Sequence, residues 1–470
     1  MISDLEGADE GSVIESDVCI VGAGAAGISI ALKLAALGKT VTLCEAGGFE
    51  YSEISQEVYQ GEVRGDPYFD LEIARLRYLG GTTNHWAGDC RTFDSIDFDR
   101  SFISEELKWP ISKTDLDPFL DEACGILDID PVFYDSDYVA GIKSVNYKVS
   151  PPTRFGEKYR AALQASDTIG LMLNANIVDV VVNDRNISAA IFKSYNGKEL
   201  TVRADKFVLA TGGIENSRIL LWLHQNQGDA LYDGALPVGN YWMEHLEYIL
   251  GEALVDSDIV ERNAFVLADE TQREEKILNC VLRTIGVPKS TTKQLVTDLL
   301  CVAPSIGEKM AGLVGKNLAC GAIFEVSCEQ LPVRSNRITL SRTEKDKFGK
   351  PRPVLYWKKS PLEKRTVAAA ARAFNKWLID QDHGRLRLDG WVLDDRPFPE
   401  PEDLGEYHHM GGTRMGESTE TSVVDLNCRV HDTDNLYIAG SSVFATGGYS
   451  NPTLPIVQLS LRLANHIAQS

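Results

Sequence analysis

Three glycines near the start of the chain have the spacing of a dinucleotide-binding turn. Gly22, Gly24 and Gly27 form G-x-G-x-x-G between a predicted strand, residues 13–21, and a predicted amphipathic helix, residues 25–37. The first glycine allows a sharp turn, the second lets a pyrophosphate approach the backbone, and the third lets the helix pack against the strand. The phosphates are then held at the positive N-terminus of the helix.

An acidic residue follows this turn where a ribose would need it. Glu45 ends the next predicted strand, residues 41–44, about 20 residues after Gly22. Its carboxylate can accept a hydrogen bond from a ribose hydroxyl, and it disfavours the 2′-phosphate of NADP. Together the βαβ unit and the acid predict dinucleotide binding, but they do not choose between NAD and FAD.

Composition and charge exclude several other classes. The chain has 470 residues and a formal net charge of −21, which disfavours nucleic acid and anionic lipid as partners. No apolar run is long enough for a membrane span, and the acidic N-terminus lacks the features of a signal peptide, so a cytoplasmic location is expected. Nine cysteines occur singly, and no spacing of His, Cys, Asp or Glu predicts a metal site.

The predicted elements indicate a discontinuous domain. Further strands are expected at residues 206–210 and 436–439, and helices at 215–223 and 452–468. Residues 250–400 have a different texture, in which short strands alternate with helices. We therefore predict an acidic, disordered leader (1–12), a nucleotide-binding domain (13–110, 151–245 and 405–470) and an inserted α+β substrate domain (111–150 and 246–404).

Six segments, in this order and nearly from end to end, resemble the glucose–methanol–choline (GMC) oxidoreductases. They are residues 79–86 (LGGTTNHW), 210–216 (ATGGIEN), 238–245 (VGNYWMEH), 407–416 (YHHMGGTRMG), 435–444 (NLYIAGSSVF) and 451–456 (NPTLPI). The resemblance implies an α/β fold with a Rossmann-type FAD-binding domain, FAD as the cofactor, and a substrate domain whose sheet covers the flavin. A plain NAD dehydrogenase would not explain the C-terminal segments.

The same resemblance implies the catalytic pair. An ungapped match of H-x-x-G-x-x-R-M-G makes His408 the base that takes the hydroxyl proton, with Asn451 beside it. Shifting the match by one residue would make His409 the base instead. An imidazole suits the task because its pKa is near neutral, and an amide can hold the hydroxyl oxygen without competing for the proton.

The cofactor contacts expected from the glycine turn and the resemblance form a longer set. They are Gly22, Gly24, Ala25, Ala26, Gly27, Glu45, Ala46, Gly80, Gly81, Thr82, Asn84, His85, Trp86, Val178, Ala210, Thr211, Gly212, Gly440, Ser441, Asn451, Pro452 and Thr453. In some members of the family a histidine at the place of His85 carries the flavin covalently. The alternative is that His85 and Trp86 only pack along the flavin ring.

The segments look most like the sugar-oxidising branch, which includes pyranose oxidases and glycoside 3-oxidases. The expected reaction is oxidation of a ring hydroxyl, at C3 or C2, of a pyranose or glycoside, with oxygen or an external electron acceptor. Oxidation of a non-sugar secondary alcohol in natural-product metabolism, a lyase without redox turnover and an inactive flavin-binding protein are the alternatives.

Three minor expectations concern the surroundings of the site. Trp86, Tyr449 and Trp242 are candidates for an aromatic wall against a sugar. His245 is expected to be structural, because it lies far along the chain from the histidine pair. Arg75 and Arg77 could face a substrate, but a place on the surface is the more common case for arginine.

Overall fold

A computed structural model describes residues 1–151, 153–286, 322–394, 396–399 and 406–470. The parts of the predicted substrate domain at 287–321 and 400–404, and residue 405 of the predicted nucleotide-binding domain, therefore lie outside the described residues. No helix of the described part is both long and apolar enough to span a membrane.

The strands are, in chain order, β1 (Ile2–Asp4), β2 (Ser12–Val21), β3 (Val41–Cys44), β4 (Glu62–Gly65), β5 (Asp89–Cys90), β6 (Ile142–Ser144), β7 (Lys148–Val149), β8 (Ile169–Leu173), β9 (Asn176–Asn183), β10 (Asn186–Lys193), β11 (Glu199–Leu209), β12 (Leu246–Val255), β13 (Ala264–Leu267), β14 (Cys280–Gly286), β15 (Ala322–Cys328), β16 (Arg337–Lys345), β17 (Pro351–Trp357), β18 (Gly384–Leu388) and β19 (Leu436–Ile438).

The α-helices are α1 (Ala25–Ala36), α2 (Glu53–Gln56), α3 (Leu120–Ile126), α4 (Phe155–Lys158), α5 (Arg160–Ala165), α6 (Glu215–Gln227), α7 (Ser257–Arg262), α8 (Asp269–Glu275), α9 (Pro361–Asp380), α10 (Gly390–Leu393) and α11 (Thr453–Gln469).

An eight-stranded sheet forms the nucleotide-binding part. Its order is β1-β8-β3-β2-β11-β10-β9, and β19 pairs with the C-terminal end of β11. The strands β1, β8, β3, β2, β11 and β19 run parallel to one another. Strands β10 and β9 form an antiparallel extension on β11. This is the α/β, Rossmann-type arrangement expected from the sequence, and in such sheets ligands bind outside the carboxyl ends of the parallel strands.

The N-terminal leader differs from the predicted disorder. Strand β1 adds a parallel edge to β8, with Ile2 opposite Leu171, and the side chain of Leu5 is fully buried in the main core. The acidic composition of the segment predicted disorder in spite of Leu5. It also gave no sign of β1, because the backbone hydrogen bonds of a strand do not depend on side-chain type. Burial of Leu5 offsets part of the entropy of ordering the leader.

A second sheet is antiparallel. Its order is β18-β12-β15-β14-β13-β6, and aromatic residues of α9, among them Phe374 and Trp377, pack on it in a separate core. Ser360 caps α9, with both halves of a capping box formed by Ser360 and Glu363. A three-stranded sheet, β16-β17-β4, joins residues 62–65 to this region through a parallel β4–β17 pair.

The division into domains stays a prediction. Side chains from the stretch 111–127, such as Leu116 and Cys124, lie in the core of the eight-stranded sheet, whereas β6, at residues 142–144, joins the antiparallel sheet. Residues 111–150 therefore contribute to both layers.

Candidate active site

Four parallel strands end at the same level and form the floor of a cavity. Val21 pairs with both Cys44 and Leu209, and Leu209 pairs with Ile438. The residues that follow these strand ends are Gly22, Glu45, Ala210 and Ala439, so the tertiary register brings together four segments that are far apart in the chain. The cavity above them has a volume of about 580 Å³.

Most of the predicted cofactor residues line this cavity. They are Gly22, Gly24, Ala25, Ala26, Glu45, Ala46, Gly81, Thr82, His85, Trp86, Ala210, Thr211, Gly212, Gly440, Ser441, Asn451, Pro452 and Thr453. Both candidate bases, His408 and His409, line it too. One continuous cavity thus contacts the dinucleotide turn and the C-terminal histidines.

The glycines of the turn divide into two kinds. A Cβ on Gly27 would lie 1.9 Å from the carbonyl oxygen of Gly22, so this glycine is required for packing of α1 against the turn. A Cβ on Gly24 would meet no protein atom within 4 Å, because this residue faces the open cavity. The N-terminus of α1 has no side-chain cap, and the open space beside it fits a pyrophosphate. Its oxygens would accept hydrogen bonds from the free N–H groups of α1.

Glu45 is buried and holds the ends of two loops. Its Oε2 accepts a hydrogen bond from the backbone N–H of Ala23 at 2.9 Å, and its Oε1 accepts one from Gly47 at 2.9 Å. A carboxylate oxygen has room for a further donor, so Glu45 can still accept from a ribose hydroxyl at the cavity wall. The donor and acceptor set therefore fits the adenosine part of FAD.

Four predicted cofactor residues do not line the cavity. Gly27 supports the turn from behind, and Gly80 lies in the left-handed region and donates its N–H to Ala23. The side chain of Asn84 donates to the carbonyl of Leu79 at 2.9 Å, which closes the loop that carries His85. The carbonyl of Val178 accepts from the indole N–H of Trp222 at 3.1 Å.

His408 lies at the centre of a hydrogen-bonded group. Its Nε2 lies 3.5 Å from Nδ2 of Asn451. Its Nδ1 lies 2.8 Å from Oε2 of Glu406 and 2.9 Å from Nδ1 of His245. The two residues predicted as a catalytic pair are thus neighbours in space, 43 positions apart in the chain.

The hydrogen-bond partners assign the tautomer of His408. Nε2 of His245 lies 3.4 Å from the carbonyl oxygen of Gly447, so Nε2 carries the proton of His245 and its Nδ1 is an acceptor. The proton between the two Nδ1 atoms then belongs to His408, where Glu406 also accepts it. Neutral His408 keeps a lone pair on Nε2, beside Asn451, as a general base requires.

His245, which was expected to be structural, lies in contact with His408 although the two are far apart in the chain. Met243 and Met410 form an antiparallel bridge, with N–H to O distances of 2.8 Å and 3.0 Å, and this bridge brings residue 245 beside residue 408. His245, Glu406 and His408 also place three atoms that could bind a metal ion within 4.8 Å of one another. A shared proton explains the 2.9 Å contact between the imidazoles, and the absence of a metal stays a prediction.

The charges around His408 act in opposite directions on its pKa. Burial opposes the charged imidazolium, but the attraction and the hydrogen bond of Glu406, with smaller contributions from Glu244 and Glu247, outweigh it and raise the pKa of His408 above its ordinary value. Burial, and then the charge of His408, lower the pKa of His245 to about 4, so His245 stays neutral.

His409 has a different environment. Its Nε2 lies 3.0 Å from the hydroxyl of Tyr68, and its ring packs 5.8 Å from that of Trp242. Burial, and then the charge of Arg75, lower the pKa of His409 to about 3. The Tyr68 hydroxyl in turn donates to Glu244, so His409 ends a hydrogen-bonded chain inside the protein.

Two expectations about the surroundings were wrong. Trp242 and Tyr449 are buried and do not line the cavity, so Trp86 alone of the three predicted aromatic residues can form a wall. Arg75 and Arg77 are not on the surface: both are buried and line the cavity, where Arg75 pairs with Glu215 at 3.1 Å and Arg77 donates to Asn176 at 2.7 Å. Buried carboxylate and amide partners, which a single sequence does not reveal, hold both guanidinium groups.

The sequence analysis also missed several residues of the site, namely Glu406, Glu244, Tyr68, Glu247 and Arg283. Glu406 carried a sequence signal, its position two residues before His408, and Glu244 lies within the quoted segment 238–245. The others come from distant segments, so spacing along the chain could not have found them.

Comparisons with known proteins agree with this site. A family model described as GMC oxidoreductase matches residues 332–460, and one described as FAD dependent oxidoreductase matches residues 17–103. A 2-methyl-1,2-propanediol dehydrogenase from Mycolicibacterium austroafricanum is 23% identical over 97% of this chain and 96% of its own. The fructose dehydrogenase large subunit from Gluconobacter japonicus is 30% identical over 34% of this chain and 28% of its own.

Two more comparisons extend the picture. A C-glycoside 3-oxidase from Microbacterium trichothecenolyticum is 31% identical over 33% of this chain and 27% of its own. Among solved structures, a formate oxidase superposes with a TM-score of 0.54 at 15% identity, covering 98% of this chain and 99% of that one. At such identity the structural likeness shows the fold alone.

Fold, cavity and comparisons together define an FAD-dependent oxidoreductase. Over residues 332–460 it is similar to the GMC oxidoreductases, and it acts on alcohol donors.

Proposed function

We propose that the enzyme oxidises a secondary ring hydroxyl, at C3 or C2, of a pyranose sugar or glycoside to the ketone, with His408 as the base. The observation that carries the proposal is the contact of His408 Nε2 with Asn451 inside the cavity that also contacts the dinucleotide turn. The sugar class is supported by relatives named C-glycoside 3-oxidase, fructose dehydrogenase and pyranose 2-oxidase.

The residues of the site divide the work as follows. Nε2 of His408 takes the hydroxyl proton while the carbon loses hydride and the C=O bond forms. The amide of Asn451 donates to the oxygen as negative charge develops there. The carboxylate of Glu406 holds the Nδ1 proton and stabilises the imidazolium that results. When bound, FAD supplies the acceptor for the hydride.

His409 is not the base in this proposal. Its Nε2 is held by Tyr68, and a pKa of about 3 makes it a weak proton acceptor at neutral pH. His85 is exposed to the cavity and burial lowers the pKa of its imidazole, so we propose that the neutral ring contacts the flavin. Release of the flavin from acid-precipitated protein distinguishes this contact from a covalent bond.

A second function has its own support. The 2-methyl-1,2-propanediol dehydrogenase matches nearly the whole of this chain, and the alcohol in its name is not a sugar. Oxidation of a non-sugar alcohol by the same residues is therefore the alternative.

Anaerobic reduction of the flavin tests the proposal. The purified holoenzyme is mixed without oxygen with free sugars, glycosides and simple alcohols, and the visible flavin band is followed. Bleaching by sugars or glycosides supports the proposal, and bleaching only by simple alcohols supports the alternative. A yellow protein that nothing bleaches contradicts both and favours a lyase or an inactive flavoprotein. Readmitting air then separates oxygen from an external electron acceptor by the speed at which the colour returns.

A further inference from the structure

One face of the antiparallel sheet presents charged groups to the cavity. In the register of β12, β14 and β15, Glu247 pairs with Ser327, and in the next row Arg283 pairs with Glu325. Directly paired residues, and residues two apart on one strand, point to the same side of a sheet. Glu247 and Arg283 accordingly both line the cavity, together with Glu406 and His408.

The carboxylates of this wall differ in their partners. Glu406 contacts His408 at 2.8 Å, and Glu325 lies 4.0 Å from the guanidinium of Arg283. Within the described residues the carboxylate of Glu247 forms no hydrogen bond or ion pair, although it lines the cavity. Burying an acceptor without a donor costs free energy, so a ligand that donates to Glu247 would recover it.

The charge balance of the wall favours a neutral ligand. Arg283 offsets Glu325, and the imidazole of His408 offsets Glu406 when it is protonated. Burial, followed by the charges of Glu406 and Glu325, raises the pKa of Glu247 to about 7, so its surroundings disfavour the negative charge. The carboxylates would repel an anion, and a dication would lack enough free carboxylates to pair with. A hydroxyl group both donates and accepts hydrogen bonds, so it matches a carboxylate beside a guanidinium.

We propose that Glu247 and Arg283 determine specificity by binding a hydroxyl adjacent to the one that is oxidised, so that the substrate class is vicinal diols. The inference rests on the proposed function, because it assumes that His408 marks the reacting hydroxyl. Glu247 accepts from the neighbouring hydroxyl and Arg283 donates to its oxygen, while His408 and Asn451 hold the reacting one. A monohydric alcohol leaves Glu247 unpaired.

The test uses a matched set of three probes. These are trans-cyclohexane-1,2-diol, cyclohexanol, and trans-2-aminocyclohexanol, which replaces the second hydroxyl by a cation. Anaerobic flavin reduction gives kcat/KM for each, and we expect the diol to exceed cyclohexanol by about tenfold to a hundredfold, since a site built to bind a hydroxyl discriminates strongly against its absence. Equal values for the diol and cyclohexanol, or a preference for the amino alcohol, would overturn the inference.

Variants assign the preference to the wall. Glu247→Ala and Arg283→Met should each lower the ratio of kcat/KM for the diol to kcat/KM for cyclohexanol about tenfold or more. The control is Glu252→Gln, on the same strand, whose carboxylate pairs at the surface with Arg387 at 3.3 Å. A diol preference that survives Glu247→Ala contradicts the assignment.

A binding measurement separates failure of the inference from failure of the proposed function. In a His408→Asn holoenzyme, which cannot remove the proton, diol and cyclohexanol binding is followed by perturbation of the oxidised flavin spectrum. Tighter binding of the diol that disappears with Glu247→Ala supports the inference even if no probe is turned over. Equal binding of both alcohols overturns it, whatever the sugars do in the turnover assay.

Discussion

Oε2 of Glu406 lies 2.8 Å from Nδ1 of His408, with both side chains partly buried at the cavity wall. The carboxylate fixes the tautomer in which Nε2 is free, and it stabilises the imidazolium by charge. In other enzymes that pair a carboxylate with a histidine, the carboxylate likewise orients the ring without taking its proton. Glu406 is therefore proposed as a positioning residue, and its effect is expected in the pH profile.

Glu406→Gln should move the pH dependence of flavin reduction to lower pH. The base must be neutral to accept a proton, so the rate rises as the pH passes the pKa of His408, which Glu406 holds above the ordinary value of 6.5. Removing the carboxylate lowers that pKa, and the misplaced ring should lower the maximal rate about tenfold to a hundredfold. The measurement is the anaerobic reduction rate from pH 5 to 9, with the exposed Glu417→Gln as the control. An unshifted profile would contradict the role of Glu406.

His408→Asn should lower the maximal rate of flavin reduction by about 10²- to 10⁴-fold, the usual contribution of a general base. His409→Asn should lower it less than about tenfold, because Nε2 of His409 is held by Tyr68 and a pKa of about 3 makes the ring a weak proton acceptor. Flavin content, measured by absorbance, must be equal in both variants for the comparison to hold. A larger loss in His409→Asn would reverse the assignment of the base.

Two glycine variants should separate folding from cofactor binding. Gly27→Ala places a Cβ 1.9 Å from the oxygen of Gly22, so it should lower the melting temperature of the apoprotein. Gly24→Ala meets no protein atom within 4 Å and should leave the apoprotein unchanged, but its methyl group faces the space expected for the pyrophosphate. Its dissociation constant for FAD, measured by quenching of flavin fluorescence, should rise at least about tenfold. Normal FAD binding by Gly24→Ala would show that the phosphates lie elsewhere.

Leu5→Ala should destabilise the protein by about 2–5 kcal/mol, the usual cost of removing a fully buried leucine side chain. The exposed Val13→Ala is the control and should change the free energy of unfolding by about 0.5 kcal/mol or less. Urea unfolding followed by tryptophan fluorescence measures both. Equal stability of Leu5→Ala and the wild type would support the prediction that the leader is disordered.

Local sequence determined the opening βαβ unit closely, but β1, β8, β9 and β10 were not predicted, and β11 begins at residue 199 rather than 206. Strand β3 has the predicted bounds, and β2 and α1 differ from prediction by one residue at one end. Here the hydrophobic period, the glycine spacing and the acid at the strand end are properties of neighbouring residues, so a short window of sequence contains them. The order of the motifs along the chain likewise sufficed to indicate the cofactor and the class of enzyme.

Tertiary structure alone decided the chemistry around the base. The sequence left His408 and His409 as alternatives for the base. In the structure His409 is buried against Tyr68, whereas His408 contacts the carboxylate of Glu406. His245 comes into contact with His408 through a backbone bridge between residues 243 and 410. Pairing between remote strands also puts Glu247 beside Arg283. Charges and pKa values depend on distances in space, which residues hundreds of positions apart acquire only when the chain folds.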